Sequence, residues 1–208
     1  MSLRSIAAAA LAAALALGAV PVAGAVATPP TGTASTAPAV LRADFVQERW
    51  IDGFRHPLRS EGEVVLVHGE GLRWETRTPF PSVMIIRGER MLIRDREGRE
   101  REMAENTGAN LPALVHSLMG ALLTGDRVAL GQRFTVIEAP APREGAWALA
   151  LRPQERLLAS LYVGIDVQGA EHVEQLVLRE RSGARTTIRF ANTQVAAIVG
   201  EAERRALD

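Results

Sequence analysis

Residues 62–95 read GEVVLVHGEGLRWETRTPFPSVMIIRGERMLIRD. Within it Leu72, Trp74 and Thr76 alternate with Arg73, Glu75 and Arg77. Period two with one apolar and one charged side describes a strand that rests on a core and turns its other face to water. The runs at 62–68, 83–87 and 91–95 flank it, parted by Gly69-Glu70-Gly71 and Gly88-Glu89. Short apolar runs joined by glycine-bearing turns predict an antiparallel meander. Outward from this stretch the same rhythm predicts strands over 41–50, 99–103, 133–138, 146–151, 161–168, 172–181 and 184–190, with turns at Gly98, Gly169 and Ser182-Gly183.

One segment departs from period two. Leu111, Leu114, Val115, Leu118, Met119, Leu122 and Leu123 recur at helical spacing, which predicts an amphipathic helix over 111–123. Asn110 is its expected N-cap, Pro112 fits the first turn, and Gly125 suits the C-terminal cap. A shorter helix is expected at 154–159. Many strands with one interposed helix give an α+β, mostly β, class: a curved antiparallel sheet, partly closed, with the helix against one face.

The first residues carry a different signal. Arg4 precedes an uncharged run at 6–20, Pro21 breaks it, and Ala23-Gly24-Ala25 offers small residues for cleavage, with Ala25-Val26-Ala27 as a second site. The run is short of the ~20 apolar residues that cross a bilayer. Residues 1–25 are therefore read as a signal peptide, 26–39 as a Pro/Thr/Ala leader, and 40–208 as one domain in the periplasm. The chain has no cysteine, hence no disulfide, thiolate metal site or acylated cysteine. It also has no lysine; without Arg4, 23 arginines face 24 acidic groups, a net charge of about −1. That balance excludes nucleic acid and electrostatic docking on anionic lipid as main partners.

Catalytic patterns are absent. His56, His68, His116 and His172 lack metal-ligand spacing, and His116 is expected in solvent, opposite the leucines of its helix. The serines lack a nucleophile elbow. The run RDREGRERE at 94–102 reads as a solvated hairpin. No catalytic residue, metal or cofactor is expected, and the chain is read as a non-enzyme. What remains is an apolar sheet face that something must cover. The helix either completes a filled core there or roofs a cleft that admits an apolar ligand; periodicity alone favours the filled core.

An ordered series of motifs bears on that choice. Phe45-Val46-Gln47 is followed by Leu58-Arg59-Ser60-Glu61-Gly62-Glu63, then Gly71-Leu72-Arg73-Trp74-Glu75, Thr78-Pro79-Phe80-Pro81, the turn Gly88-Glu89-Arg90, and late Phe190-Ala191-Asn192. Over residues 41–192 this resembles the LolA family of outer-membrane lipoprotein carriers. The resemblance implies an incomplete β-barrel with a helical lid over an apolar concave surface. It implies transport of acylated cargo from an inner-membrane donor transporter to an outer-membrane acceptor, by a monomer without enzymatic chemistry. Carried over by position, Leu72 and Trp74 face the cavity, with Trp74 at the ligand surface rather than in a sealed core. The expected ligand-binding set is Leu72, Trp74, Phe80, Met84, Ile86, Leu114, Leu118, Met119 and Leu122. Two departures mark the chain as a LolA-like paralogue whose cargo is a lipoprotein or another lipid. The turn His68-Gly69-Glu70-Gly71 lacks the arginine-proline pair that helps hold the family's lid closed, and only 38–43 stands where the family has a first helix. The rival reading keeps the fold but gives its groove to a peptide or protein partner, as a sensor or scaffold.

Overall fold

A computed structural model describes residues 39–102 and 111–207 of the 208-residue chain. The signal segment, the leader up to Pro38, Met103 and the expected cap Asn110 lie outside the described residues. Eleven strands form one sheet among these residues: β1 (Val40–Trp50), β2 (Leu58–Val67), β3 (Gly71–Thr78), β4 (Ser82–Arg87), β5 (Arg90–Asp95), β6 (Glu100–Glu102), β7 (Phe134–Ala139), β8 (Trp147–Pro153), β9 (Tyr162–Gly169), β10 (Val173–Glu180) and β11 (Arg185–Ala196). The order is β6-β5-β4-β3-β2-β1-β11-β10-β9-β8-β7, antiparallel throughout. Two meanders thus meet where the first strand pairs with the last, and β6 and β7 are left as open edges. The expected mostly β, incomplete barrel is the architecture found.

Helix α1 (Leu111–Thr124) and the short α2 (Arg127–Gly131) carry the chain from one edge to the other, between β6 and β7. A third helix, α3 (Arg156–Leu161), sits two residues later than expected, and α4 (Glu201–Ala206) follows the last strand. Neither α2 nor α4 was anticipated. No helix among the described residues is long and apolar enough to cross a membrane.

Register explains several of the motif residues. Phe45 lies opposite Gly62 on β2 and Phe190 on β11. A β-carbon on Gly62 would stand 1.8 Å from the Glu75 carbonyl oxygen and 2.9 Å from the Phe45 ring, so only glycine lets β3 and Phe45 approach. The β1–β11 pairing slips by one residue between Arg42 and Asp44. Near it Asn192 takes φ +53°, a left-handed conformation that asparagine tolerates, and its amide donates to Asp44 Oδ2 at 2.8 Å.

Alternation divides the sheet into two faces, as read. The outer face carries cross-strand ion pairs, among them Arg42–Glu63 at 2.7 Å, Arg189–Glu48 at 2.9 Å and Arg143–Glu174 at 2.6 Å. Pairs such as Arg143–Glu174, open to solvent, contribute little stability each and keep this face wet. The 94–102 hairpin is likewise solvated, with Arg94 on Glu100 at 2.5 Å and Arg99 on Asp95 at 2.8 Å. The outer face also holds a small apolar cluster, Val40, Val65 and Val67, which Leu207 covers from the end of α4.

Candidate ligand-binding face

The inner face is built strand by strand from the alternate positions. Leu41, Ala43 and Phe45 of β1 stand beside Val64 and Leu66 of β2, then Leu72 and Trp74 of β3, Met84 and Ile86 of β4, and Met91 of β5. The other meander adds Ile188, Phe190, Leu176, Ile165, Val167, Leu149, Leu151 and Phe134 to the same cluster. Three aromatic rings meet near its centre. Trp74 lies 4.3 Å from Phe45, centroid to centroid, and 6.4 Å from Phe190 in an edge-on arrangement.

Helix α1 lies across this face, touching β4 and β5 on one side and β10 on the other. Val115, Leu118, Met119, Leu122 and Leu123 are buried in the shared cluster, as helical spacing predicts. Gly125 ends the helix at φ +65°. Asp126 then caps α2, its carboxylate accepting from the amides of Val128 and Ala129 at 3.0 and 3.1 Å.

Of the nine residues expected at the ligand surface, seven are brought together here: Leu72, Trp74, Met84, Ile86, Leu118, Met119 and Leu122. Leu114, on the same helix, is half-buried and is not part of that cluster. Phe80 is not with them; it sits in the β3–β4 turn, 48 % exposed, because the chain there has left the sheet. Trp74 faces inward as read but is only 3 % exposed, so in this closed arrangement it meets protein on every side. That differs from its expected place at an open surface: the ring packs beside Phe45 and Phe190 within the shared apolar cluster. Phe45 and Phe190 belong to the face too, and the 41, 43, 45 alternation on β1 carries the signal for the first of them.

His116 is the other correction. It was expected in solvent, yet its ring is half-buried and Nε2 is sealed without a hydrogen bond of ordinary geometry. The β2–β3 turn covers this flank of the helix, whereas Ser117, one residue on, is exposed. Burial holds this imidazole below its ordinary pKa; backbone at Val67 and Gly71, close by, opposes that, and the neighbouring His68 adds to it.

The described residues contain no group of three or more metal-ligating side chains. A hollow of about 260 Å³ lies across the sheet from α1, lined by Asp44, Val46, Glu48, Arg59, Arg189 and Ala191, with Phe45 and Phe190 contributing. Its wall is mostly apolar, with Asp44, Glu48, Arg59 and Arg189 around it.

Comparison with known proteins bears on this arrangement. The sequence model of the family described as "Outer membrane lipoprotein carrier protein LolA" matches residues 38–201. An outer-membrane lipoprotein carrier protein of Xylella fastidiosa (strain Temecula1 / ATCC 700964) is 29% identical over 156 residues, 74% of this chain and 70% of that protein. One of Dechloromonas aromatica (strain RCB) is 27% identical over 154 residues, with the same coverage of 74% and 70%. Among solved structures, a LolA superfamily protein of Nitrosomonas europaea aligns at TM-score 0.42 and 9% identity, covering 77% of this chain and 87% of that one.

Proposed function

The chain belongs to the LolA family of outer membrane lipoprotein carriers, and from that premise we propose that it carries acyl chains across the periplasm, on the apolar face that α1 covers. Lipoprotein acyl chains, or those of another lipid, are the cargo; an inner-membrane transporter loads them and an outer-membrane protein accepts them. The protein works as a monomer, without catalysis. One observation carries this reading: an amphipathic helix spans the gap between two meanders and closes an inner face that is apolar over most of its area.

Magnitudes make the exchange workable. Each of Val115, Leu118, Met119, Leu122 and Leu123 gains roughly 1.5–3 kcal/mol by burial. Docking the helix is therefore worth on the order of 8–15 kcal/mol at most. A wholly enclosed chain of ~16 carbons gains about 12 kcal/mol. Lifting α1 exposes the apolar faces of both helix and sheet, and a chain lying between them covers both again. Cost and gain are of one size, so cargo is held without being trapped. The turn at 68–71 lacks the arginine that the family's members use on their lid, so closure here relies on apolar packing. Gly71 in that turn is itself packed under the Ile86 carbonyl, where a β-carbon would come within 2.6 Å.

The test is to express the full chain with its own signal, recover it from the periplasm, and extract what travels with it for lipid mass spectrometry. Stoichiometric acyl lipid or lipoprotein supports the carrier. A lipid-free protein that also fails to bind a fluorescent fatty-acid probe after refolding refutes it.

A further inference from the structure

The inner face is apolar along β2 to β5 but changes character at one end of the other strands. There Gln47 and Arg49 of β1, Thr186 of β11, Glu180 of β10 and Tyr162 of β9 come together. Arg49 continues the inward series of Phe45 and Gln47 and lies opposite Thr186, which in turn lies opposite Leu178. Glu180 follows Leu178 by two residues and pairs with Tyr162. The Arg49 guanidinium donates to Glu180 Oε2 at 3.0 Å, and the two side chains are only 14% and 12% exposed. Tyr162 is 7% exposed, and burial, with the Glu180 charge beside it, pushes its hydroxyl up to about 12.

Folding gives weak reason for this pair. Withdrawing two charges from water can cost more than their attraction returns, and a well-packed apolar pair is often as stable or more so. An apolar face ending in a guanidinium, held in the resting state by one carboxylate, instead matches the shape of an amphiphile. The guanidinium fork suits a carboxylate or a phosphate, and the rim is one residue away at Trp50, which is half exposed. Glu180 already has a second partner there, accepting from Ser182 Oγ at 3.0 Å.

The geometry points to Arg49 as the receptor of an anionic head group, carboxylate or phosphate, on the amphiphile whose chain occupies the apolar face. This rests on the carrier reading above. On binding, Glu180 gives up its bond to the guanidinium and keeps Ser182 and water at the rim. Tyr162 and Thr186 flank the incoming oxygens.

Three probes of equal chain length test it on the delipidated mature protein by calorimetric titration: hexadecanoate, hexadecyl phosphate and hexadecanol, each below its micelle concentration. The wild type should bind at least one of the anions about tenfold or more tightly than the alcohol. Whichever anion leads identifies the head group. The double variant Arg49→Leu/Glu180→Leu leaves no lone buried charge and should bind all three alike. Glu180→Gln removes that carboxylate's competition for the guanidinium and should widen the preference, which keeps the site testable should the double variant not fold. Equal wild-type binding of all three probes, a preference that survives the double variant, or a preference unmoved by Glu180→Gln overturns the site while leaving the carrier standing. A wild type that binds none of them overturns the carrier reading, and the site falls with it.

Discussion

Leu118→Glu places a carboxylate at the centre of the contact between α1 and the sheet, where the leucine is 7% exposed. Two costs follow. Lost apolar burial amounts to roughly 1.5–3 kcal/mol. Keeping a glutamate neutral at pH 7, against an ordinary value near 4.3, costs about 4 kcal/mol more. The total of about 5–7 kcal/mol nears the lower end of the docking energy of α1, itself an upper bound, so at neutral pH the helix should lift and solvate the charge. Docked, the carboxyl has a pKa above its unfolded value. Stability relative to wild type is thus retained below about pH 4 and lost as pH rises, at about 1.4 kcal/mol per pH unit until undocking is easier. Circular dichroism melts and hydrophobic-dye binding between pH 4.5 and 8 measure this. The expected result at pH 7 is a retained β spectrum with raised dye binding and no acyl binding, with the dye signal receding at pH 4.5. A single cooperative loss of the β spectrum at pH 7 would refute the separability of helix and sheet. A penalty that does not vary with pH would place residue 118 in water.

Other perturbations probe the same architecture. In a protein carrying Trp50→Phe and Trp147→Phe, Trp74 emission should be that of a buried ring and should shift when an acyl ligand enters; an unchanged spectrum at saturation would count against its place on the ligand face. His116 has its pKa lowered by burial, so the stability tied to its neutral form is present above the ordinary imidazole value and lost as pH falls through the lowered one. Melts at pH 7.5 and 5 should therefore differ more for the wild type than for His116→Phe, and equal differences would place the ring in solvent. Gly62→Ala should destabilise by about 1–3 kcal/mol in a denaturant titration, because its β-carbon meets the Glu75 carbonyl and the Phe45 ring. Intact mass of protein recovered from the periplasm should begin at Val26, or at Thr28; a species retaining Met1 would remove the argument for export.

Much of the fold is local and was legible for that reason. The Leu72–Trp74–Thr76 alternation, the leucine spacing from Leu111 onward and the glycine turns each reside within one element or hairpin. The pairing of β1 with β11 does not, since no periodicity within residues 40–50 says that 185–196 is their neighbour. The Arg49–Glu180 contact was hidden for the same reason, its partners being 131 residues apart. Helix α2 left a readable trace, because Gly125-Asp126 is both the end of one helix and the cap of the next, and the apolar spacing up to Leu123 points only to the first role. Six residues of α4 carry no apolar stripe, and only Glu201 and Glu203 ahead of Arg204 and Arg205 mark its polarity. His116 was misplaced because a leucine stripe identifies the buried face of a helix without telling whether its opposite face is also covered.

The seam between β1 and β11 has a consequence for the order of events in the protein's life. The middle of the sheet is joined by the first and last strands to be synthesised, so its central ladder cannot close until nearly the whole chain has emerged. Contacts so distant in sequence form slowly, and loop closure must precede any reward from them. Until then Phe45 and Trp74 lack Phe190 as a neighbour, and the chain is two unfinished hairpin sets rather than a folded body. A polypeptide that stays unfinished to its last strand stays threadable until that strand arrives.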